Sequence, residues 1–291
     1  MLLNPITYHA PTSVNEAVKL YTALPDARIL AGGTFLLNSL KLLKRKGMKT
    51  PQNVISLKNV AELKGISLEG GTLIVKSMTT ITDLFNSPLL DDNFSVLHTV
   101  CRNISTTPIR NMATVGGNLT CRYTWTELGS VLITLEADLH LLGANGETEI
   151  IPAENFFTNG AKTNNKILTH VSIKRDPTVT LSYQRVKKLS DVDIPMLAVC
   201  MRTRFKGNRF NDTRVTVNSW TTFAKRDMIL EGFLNQSSSE SGVAKEALNH
   251  LDTTIYDTRS DDYKKAMFRV SIKNGVLGLM NGRKNDDVSH H

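Results

Sequence analysis

The chain has 291 residues, of which 41% are hydrophobic and 21% charged, and its formal net charge is +8. Such a chain is long enough for about two or three compact domains and has the composition of an ordinary globular protein. No apolar run reaches the ~20 residues of a membrane helix, and the start Met1-Leu2-Leu3-Asn4-Pro5 lacks the marks of a signal peptide, so no membrane span and a cytoplasmic location are expected.

In chain order, Pro11 to Ala17 combines a turn with a helix start, where Ser13 caps and Glu16 closes a capping box. Ala27–Ala31 is a short apolar run that meets Gly32-Gly33 and suits a buried strand entering a tight turn. Phe35, Leu36, Ser39, Leu40 and Leu43 then recur at helical spacing, which places Phe35 on a helix's core face. Val54–Leu57 reads as a strand, and Ile66–Lys76 as a hairpin turning at Glu69-Gly70-Gly71-Thr72. Helices are expected from Thr82 to Phe85 and from about Asp92 to Arg102. Residues 103–120, rich in turn and small residues, read as an extended functional loop. Ala137–Ile151 reads as a second hairpin, with Asn145-Gly146 supplying its turn.

Asp176-Pro177 marks an expected domain boundary. Beyond it come antiparallel strands over Thr180–Val186, Met196–Phe205 and Arg214–Trp220, the last two joined by a Lys206-Gly207-Asn208 turn. Helices follow near Met228–Leu234, Val243–Leu251 and Tyr263–Met280, with Ser237-Ser238-Ser239 as a polar linker. The expected organisation is α+β, with one domain over 1–176 (subdomains 1–57 and 58–176) and another over 177–284. Residues 285–291 are expected to be disordered.

Cys101, Cys121 and Cys200 lie far apart, and no C-x-x-C occurs. This argues against a disulfide framework, a zinc site or an iron–sulfur cluster, and the histidines show no metal-ligand spacing. The basic run Lys41 to Lys49 accounts for much of the charge; a solvated helix face is its commoner origin, and no motif supports nucleic-acid binding.

Two glycine pairs carry the functional reading. Gly32 and Gly33 let the backbone turn sharply and expose N–H groups just before a helix, a combination that favours a phosphate. Gly116 and Gly117 sit in a segment crowded with Thr and Asn donors. Read locally, that segment suits either a pyrophosphate or ribitol site or a loop that bonds to itself.

Ala31-Gly32-Gly33-Thr34, followed farther along by Ile109-Arg110-Asn111-Met112-Ala113-Thr114-Val115-Gly116-Gly117-Asn118, resembles the flavoprotein subunit of the xanthine dehydrogenase and carbon monoxide dehydrogenase family of molybdenum hydroxylases. The likeness continues through Glu127-Leu128, Leu135–Asp138, Gly143, Pro152 to Gly160, Tyr183–Val186, and Arg259-Ser260 with Tyr263-Lys264, and so covers almost the whole chain. It implies an FAD-binding domain of the vanillyl-alcohol-oxidase-like type followed by an antiparallel sheet with helices. It assigns the FAD pyrophosphate to Arg28, Ile29, Leu30, Ala31, Gly32, Gly33, Thr34 and Phe35, and to Ala113, Thr114, Val115, Gly116, Gly117 and Asn118. It also places Leu168 by the flavin, Glu127 at the ribityl or ribose part, and Arg185 where relatives carry a lysine. Two positions depart from the pattern: Phe35 and Glu127 stand where relatives often have Asp.

The resemblance further implies an iron–sulfur small subunit and a molybdopterin large subunit as partners, with electrons passing through FAD to NAD or another acceptor. No catalytic residue and no metal ligand is assigned to this chain. Two rival readings are a subunit of the same fold that has lost its flavin and a stand-alone flavin oxidase.

Overall fold

The computed structural model describes residues 3–121, 123, 126–189, 192–218, 223–256 and 262–282. Trp220, the Arg259-Ser260 pair and the tail 285–291 lie outside these residues. The fold is α+β, as expected. The chain forms two compact units. One holds Met1–Asp91, Leu97–Arg122 and Ala137–Lys174; the other holds Asp92–Val96, Tyr123–Glu136 and Arg175–His291. Two segments from before residue 176 therefore belong with the later residues, and the division is not the single cut expected.

The first unit opens with β1 (Thr7–His9), α1 (Val14–Ala23), β2 (Arg28–Leu30), α2 (Leu36–Arg45) and β3 (Asn53–Ser56). Its strands form a parallel sheet in the order β1-β3-β2. Ala17 and Val18 of α1, Ile55 and Leu57 cluster in a core with Val60 and Leu63. Ser13 caps α1 by accepting from Glu16 N at 3.2 Å. The Glu16 carboxylate reaches one residue farther than expected, accepting from Thr12 N at 2.9 Å, so the capping box is only half made.

Next come β4 (Ile66–Glu69), β5 (Thr72–Lys76), α3 (Ile81–Phe85), α4 (Ser95–Asn103), α5 (Thr107–Arg110) and α6 (Val115–Leu119). The last two replace the extended loop expected over 103–120. Pro108 in the first turn of α5 and Thr114 as the cap of α6 start helices too short to show periodicity. After α7 (Leu128–Thr134), which belongs to the second unit, β6 (Asp138–Leu142), β7 (Thr148–Pro152), α8 (Ala153–Thr158) and β8 (Ile167–Lys174) complete the first. The five strands form an antiparallel sheet in the order β4-β5-β8-β6-β7. Both expected hairpins are present. Gly70, Gly71, Asn145 and Gly146 all have positive φ, which is what two such reversals demand.

The second unit contains β9 (Val179–Val186), β10 (Leu197–Lys206), β11 (Arg209–Asn218) and β12 (Lys225–Arg226), an antiparallel sheet in the order β12-β11-β10-β9. Helices α9 (Met228–Gln236), α10 (Val243–Glu246), α11 (Thr253–Tyr256) and α12 (Asp262–Asn281) follow. Val199 and Met201 of β10, Val215 and Val217 of β11, Leu230 and Leu234 of α9, and Phe268 and Ile272 of α12 share one core. Burying each such side chain is worth roughly 1.5–3 kcal/mol. Helix α7 is buried along its whole length, and Thr134 Oγ1 donates to Thr216 Oγ1 of β11 at 2.9 Å. The Ser237–Ser239 segment is not a free linker. Ser238 bridges Arg209, and Ser239 N donates to Asn208 O at 2.6 Å. No helix among the described residues is long and apolar enough to cross a membrane.

Candidate functional site

The first glycine pair lies between β2 and α2. Gly33 has φ +73°, a conformation that L side chains rarely adopt, and residues 29–36 are half-buried while Arg28 is exposed. The N–H groups of Gly32, Gly33 and Thr34 meet no acceptor among the described residues. Helix α2 then starts with no side-chain cap and no acidic residue in its first turn. Consecutive unpaired donors running into a helix start suit an anion. Phe35 occupies the cap position, half-buried, and not the core face of α2. An aspartate at that cap position could accept from the N–H of Leu37 or Asn38, which phenylalanine cannot do.

The second loop is built differently. Arg110 folds back on its own segment, donating to Ile104 O at 3.0 Å, Ser105 O at 2.8 Å and Thr107 Oγ1 at 2.9 Å. Ala113 O accepts from Ile81 N at 2.9 Å. Val115 N donates to Thr79 O at 2.9 Å, Gly116 N to Ser77 O at 2.7 Å, and Asn118 N to Thr114 O at 2.9 Å. Gly117 N donates to Thr114 Oγ1 at 3.1 Å. The backbone donors of residues 115–118 are therefore consumed within the protein.

Here glycine serves packing. A Cβ at Gly116 would lie 2.7 Å from Ser77 Cβ, and one at Gly32 would lie 1.9 Å from Met112 O. A Cβ at Gly117 would lie 3.5 Å from Ala31 Cβ. The two motifs, distant in sequence, thus touch through their backbones. Sequence reasoning assigned Met112 no role, yet its carbonyl sets the closest approach; the only signal was the missing Cβ at Gly32.

Two buried side-chain oxygens of this unit, Ser77 Oγ and Asn118 Oδ1, have no hydrogen-bond partner among the described residues. Leaving such a group unpaired costs about 1–3 kcal/mol, so a ligand or water is called for. Leu168 lies on β8 paired with Leu141 and is 5% exposed, which leaves it little surface for a flavin.

Glu127 and Arg185 meet each other in the second unit. Arg185 Nε donates to Glu127 Oε1 at 2.8 Å, and the Tyr183 hydroxyl donates to the same oxygen. Burial pushes the Glu127 carboxyl up, while the Arg185 guanidinium and the two hydrogen bonds oppose that rise. Burial and the Glu127 charge push the Tyr183 hydroxyl well above its ordinary value. Arg185 also donates to Asp193 O at 2.7 Å, and the Asp193 carboxylate accepts from Lys188 N at 2.9 Å, Leu189 N at 3.0 Å and Ile194 N at 2.8 Å. The pair thus closes an internal network around the start of the 189–195 loop. The structure places Glu127, 2% exposed, as Arg185's counter-ion and not as an open cofactor contact.

Residues 4–175 match the family model described as the FAD binding domain in molybdopterin dehydrogenase. The chain belongs to this family. It is 30% identical over 279 residues to the carbon monoxide dehydrogenase medium chain of Hydrogenophaga pseudoflava, covering 92% of this chain and 95% of that one. The xanthine dehydrogenase FAD-binding subunit of Escherichia coli O157:H7 is 26% identical, with 72% of each chain covered. A solved carbon monoxide dehydrogenase from Hydrogenophaga pseudoflava, lacking the Mo-pyranopterin moiety, superposes with a TM-score of 0.86 at 25% identity, covering 98% of this chain and 100% of that one.

For an FAD-binding domain of this family, the residues present fit the cofactor. The open N–H groups of Gly32, Gly33 and Thr34 match an anionic pyrophosphate, and the unpartnered Asn118 oxygen awaits a donor. Burial holds the thiols of Cys101, Cys121 and Cys200 up at about 12, 11 and 12, so they stay protonated at neutral pH.

Proposed function

We propose that the chain is the FAD-carrying subunit of a molybdenum hydroxylase. In this reading it takes electrons from iron–sulfur clusters on a small partner subunit and passes them to NAD or another acceptor. The observation that carries the reading is the contact between the two glycine motifs, which sets a donor-lined turn against Met112. Bound FAD would supply one- and two-electron redox chemistry, and this chain would hold and orient it. Gly32, Gly33 and Thr34 would donate to the pyrophosphate, while α6 would back the first loop through Gly117 and Ala31. No side chain is needed as nucleophile, acid or base. Substrate oxidation would belong to a molybdopterin-bearing large subunit.

Acid precipitation followed by flavin analysis tests the first half of this reading. FAD released to the supernatant is expected; FMN alone, or flavin left on the pellet, counts against non-covalent FAD. Co-expression with its genomic neighbours tests the second half. The chain should co-purify with a cysteine-rich small subunit and a larger molybdopterin subunit, and alone it should not oxidise a heterocycle or aldehyde. Recovery of the isolated chain with substrate oxidation intact would instead favour a stand-alone flavoenzyme.

A further inference from the structure

The positive charge of this chain is concentrated in one stretch. Between Asp26 and Glu62 stand seven lysines and arginines and no acidic residue, so this stretch supplies nearly all of the net charge of +8. Five of the seven lie on or just after α2, at Lys41, Lys44, Arg45, Lys46 and Lys49. Lys41, Arg45 and Lys46 are exposed and form no ion pair among the described residues.

A solvated helix face would account for the cations alone. It does not account for the apolar side chains among them. Of the ten residues of α2 only Leu40 is buried, while Leu37 is 48% exposed, Leu42 37% and Met48, just beyond the helix, 55%. Helices shorter than about 12–15 residues are marginal in water, and packing of an apolar face is what stabilises them. Helix α1, of equal length, buries Ala17 and Val18.

We propose that the exposed face of α2, with Met48, is a docking site for a separate acidic protein that binds transiently: apolar sockets on that protein seat Leu37 and Leu42, and its carboxylates pair with Lys41, Arg45 and Lys46. Other occupants fit the pattern less well. Leu37 and Leu42 lie about 140° apart around the helix, with Lys41 and Arg45 between them. A bilayer takes an apolar face with cations at its margins, so it would have to bury those two charges to receive both leucines. Separate sockets on a protein avoid this. Subunit interfaces are depleted of charge at their centre, whereas a transient, electrostatically steered contact gathers it. A nucleic acid would use the cations and leave the leucines in water. This surface does not require bound flavin.

The test uses the full chain, expressed with its genomic neighbours in its host organism and carrying a photo-crosslinking p-benzoylphenylalanine in place of Leu42. Lys41→Glu/Arg45→Glu/Lys46→Glu reverses the face, and Arg45→Glu alone serves if the triple variant does not fold. Lys206→Glu/Lys245→Glu/Lys273→Glu changes the net charge equally at exposed positions elsewhere. Thermal unfolding checks that each variant folds. Mass spectrometry of the adduct should identify one acidic protein. Once purified, that protein should bind the control like the parent and the reversed face at least about tenfold more weakly. Leu37→Ser should weaken binding too, and lysines in place of the partner's contacting carboxylates should restore binding to the reversed face. An adduct with phospholipid, nucleic acid or a co-purifying subunit overturns the proposal, as does the absence of any adduct. Equal binding by the reversed face and the control, or failure of the lysine exchange to restore binding, overturns it as well.

Discussion

Replacing Gly32 by Ala should separate the two motifs. The added Cβ would stand 1.9 Å from Met112 O and 2.8 Å from Met112 C, where ordinary contact begins at 3.4 Å. Both neighbours are backbone and cannot rotate away, so the loops must part by roughly 1.5 Å, the shortfall from a normal contact distance. Overpacking of this kind costs about 1–3 kcal/mol of stability. On the proposed function, misplacing two N–H donors to a charged pyrophosphate would lose about 3 kcal/mol of binding, or roughly a hundredfold in Kd. Gly232→Ala is the control. That glycine lies exposed in α9, a Cβ there meets nothing within 4 Å, and alanine should stabilise by roughly 0.5–1 kcal/mol. Thermal unfolding and FAD titration on both variants decide the matter. A Gly32→Ala protein with the parent's melting temperature and FAD affinity would refute the argument that this glycine exists to admit Met112.

Three further outcomes are expected. Gly278→Ala should destabilise by about 1–3 kcal/mol in chemical denaturation, because its Cβ would come 2.5 Å from Ser182 Oγ and 3.2 Å from Ser182 Cβ where α12 meets β9; Ser182→Ala in the same chain should recover part of the loss. Glu127→Ala leaves the Arg185 guanidinium buried without its counter-ion and should cost about 3–5 kcal/mol, whereas Glu127→Gln, whose amide oxygen still accepts from Tyr183 and Arg185, should cost less; equal losses would argue against the ion pair. Burial and the stacked ring of His140, 4.0 Å away, lower His170 to about 4. A histidine lowered in the folded state contributes stability above its unfolded pKa of about 6.5 and loses it as pH falls from there toward 4, here by about 1–2 kcal/mol after allowing for solvent. Stability measured against pH should therefore flatten over that window in His170→Asn, and an unchanged slope would remove His170 as its source.

What the sequence made legible follows from the size of each element and from its contrast with what surrounds it. The hairpin at Gly70-Gly71 and the one at Asn145-Gly146 were readable because positive φ leaves few residue choices. The long strand β10 was readable by its apolar run and length, whereas β11 starts at Arg209, five residues before the expected Arg214, because Asn211, Asp212 and Thr213 break the apolar pattern. Strand β1, with three residues and mostly exposed side chains, shows no such pattern. Helix α7 is buried on every side, so it has no exposed face to set a periodic contrast, and its membership of the second unit depends on contacts remote in sequence. Helices α5 and α6 span four and five residues, below the reach of any period. At the candidate site, the two motifs named in the sequence are brought into contact by the fold. The pairing of Glu127 with Arg185 was not readable, because the two positions lie far apart in the sequence and meet only in the folded second unit.

The glycines make the same point at the level of single atoms. Gly32-Gly33-Thr34 and Gly70-Gly71-Thr72 are identical tripeptides, and each includes a residue with positive φ. Around Gly70 and Gly71 a Cβ would meet nothing within 4 Å, so those positions need glycine only for their backbone angles. Gly32 has no such angle to explain it, and its need comes wholly from Met112 O, contributed by the other motif. Gly33 combines a positive φ with an N–H that meets no acceptor among the described residues, and so both shapes the turn and leaves a donor open. The two glycine pairs thus differ in that a second segment closes against Gly32 and none against Gly70 and Gly71. The spacing of the two motifs along the chain therefore carries more functional information than either motif's composition.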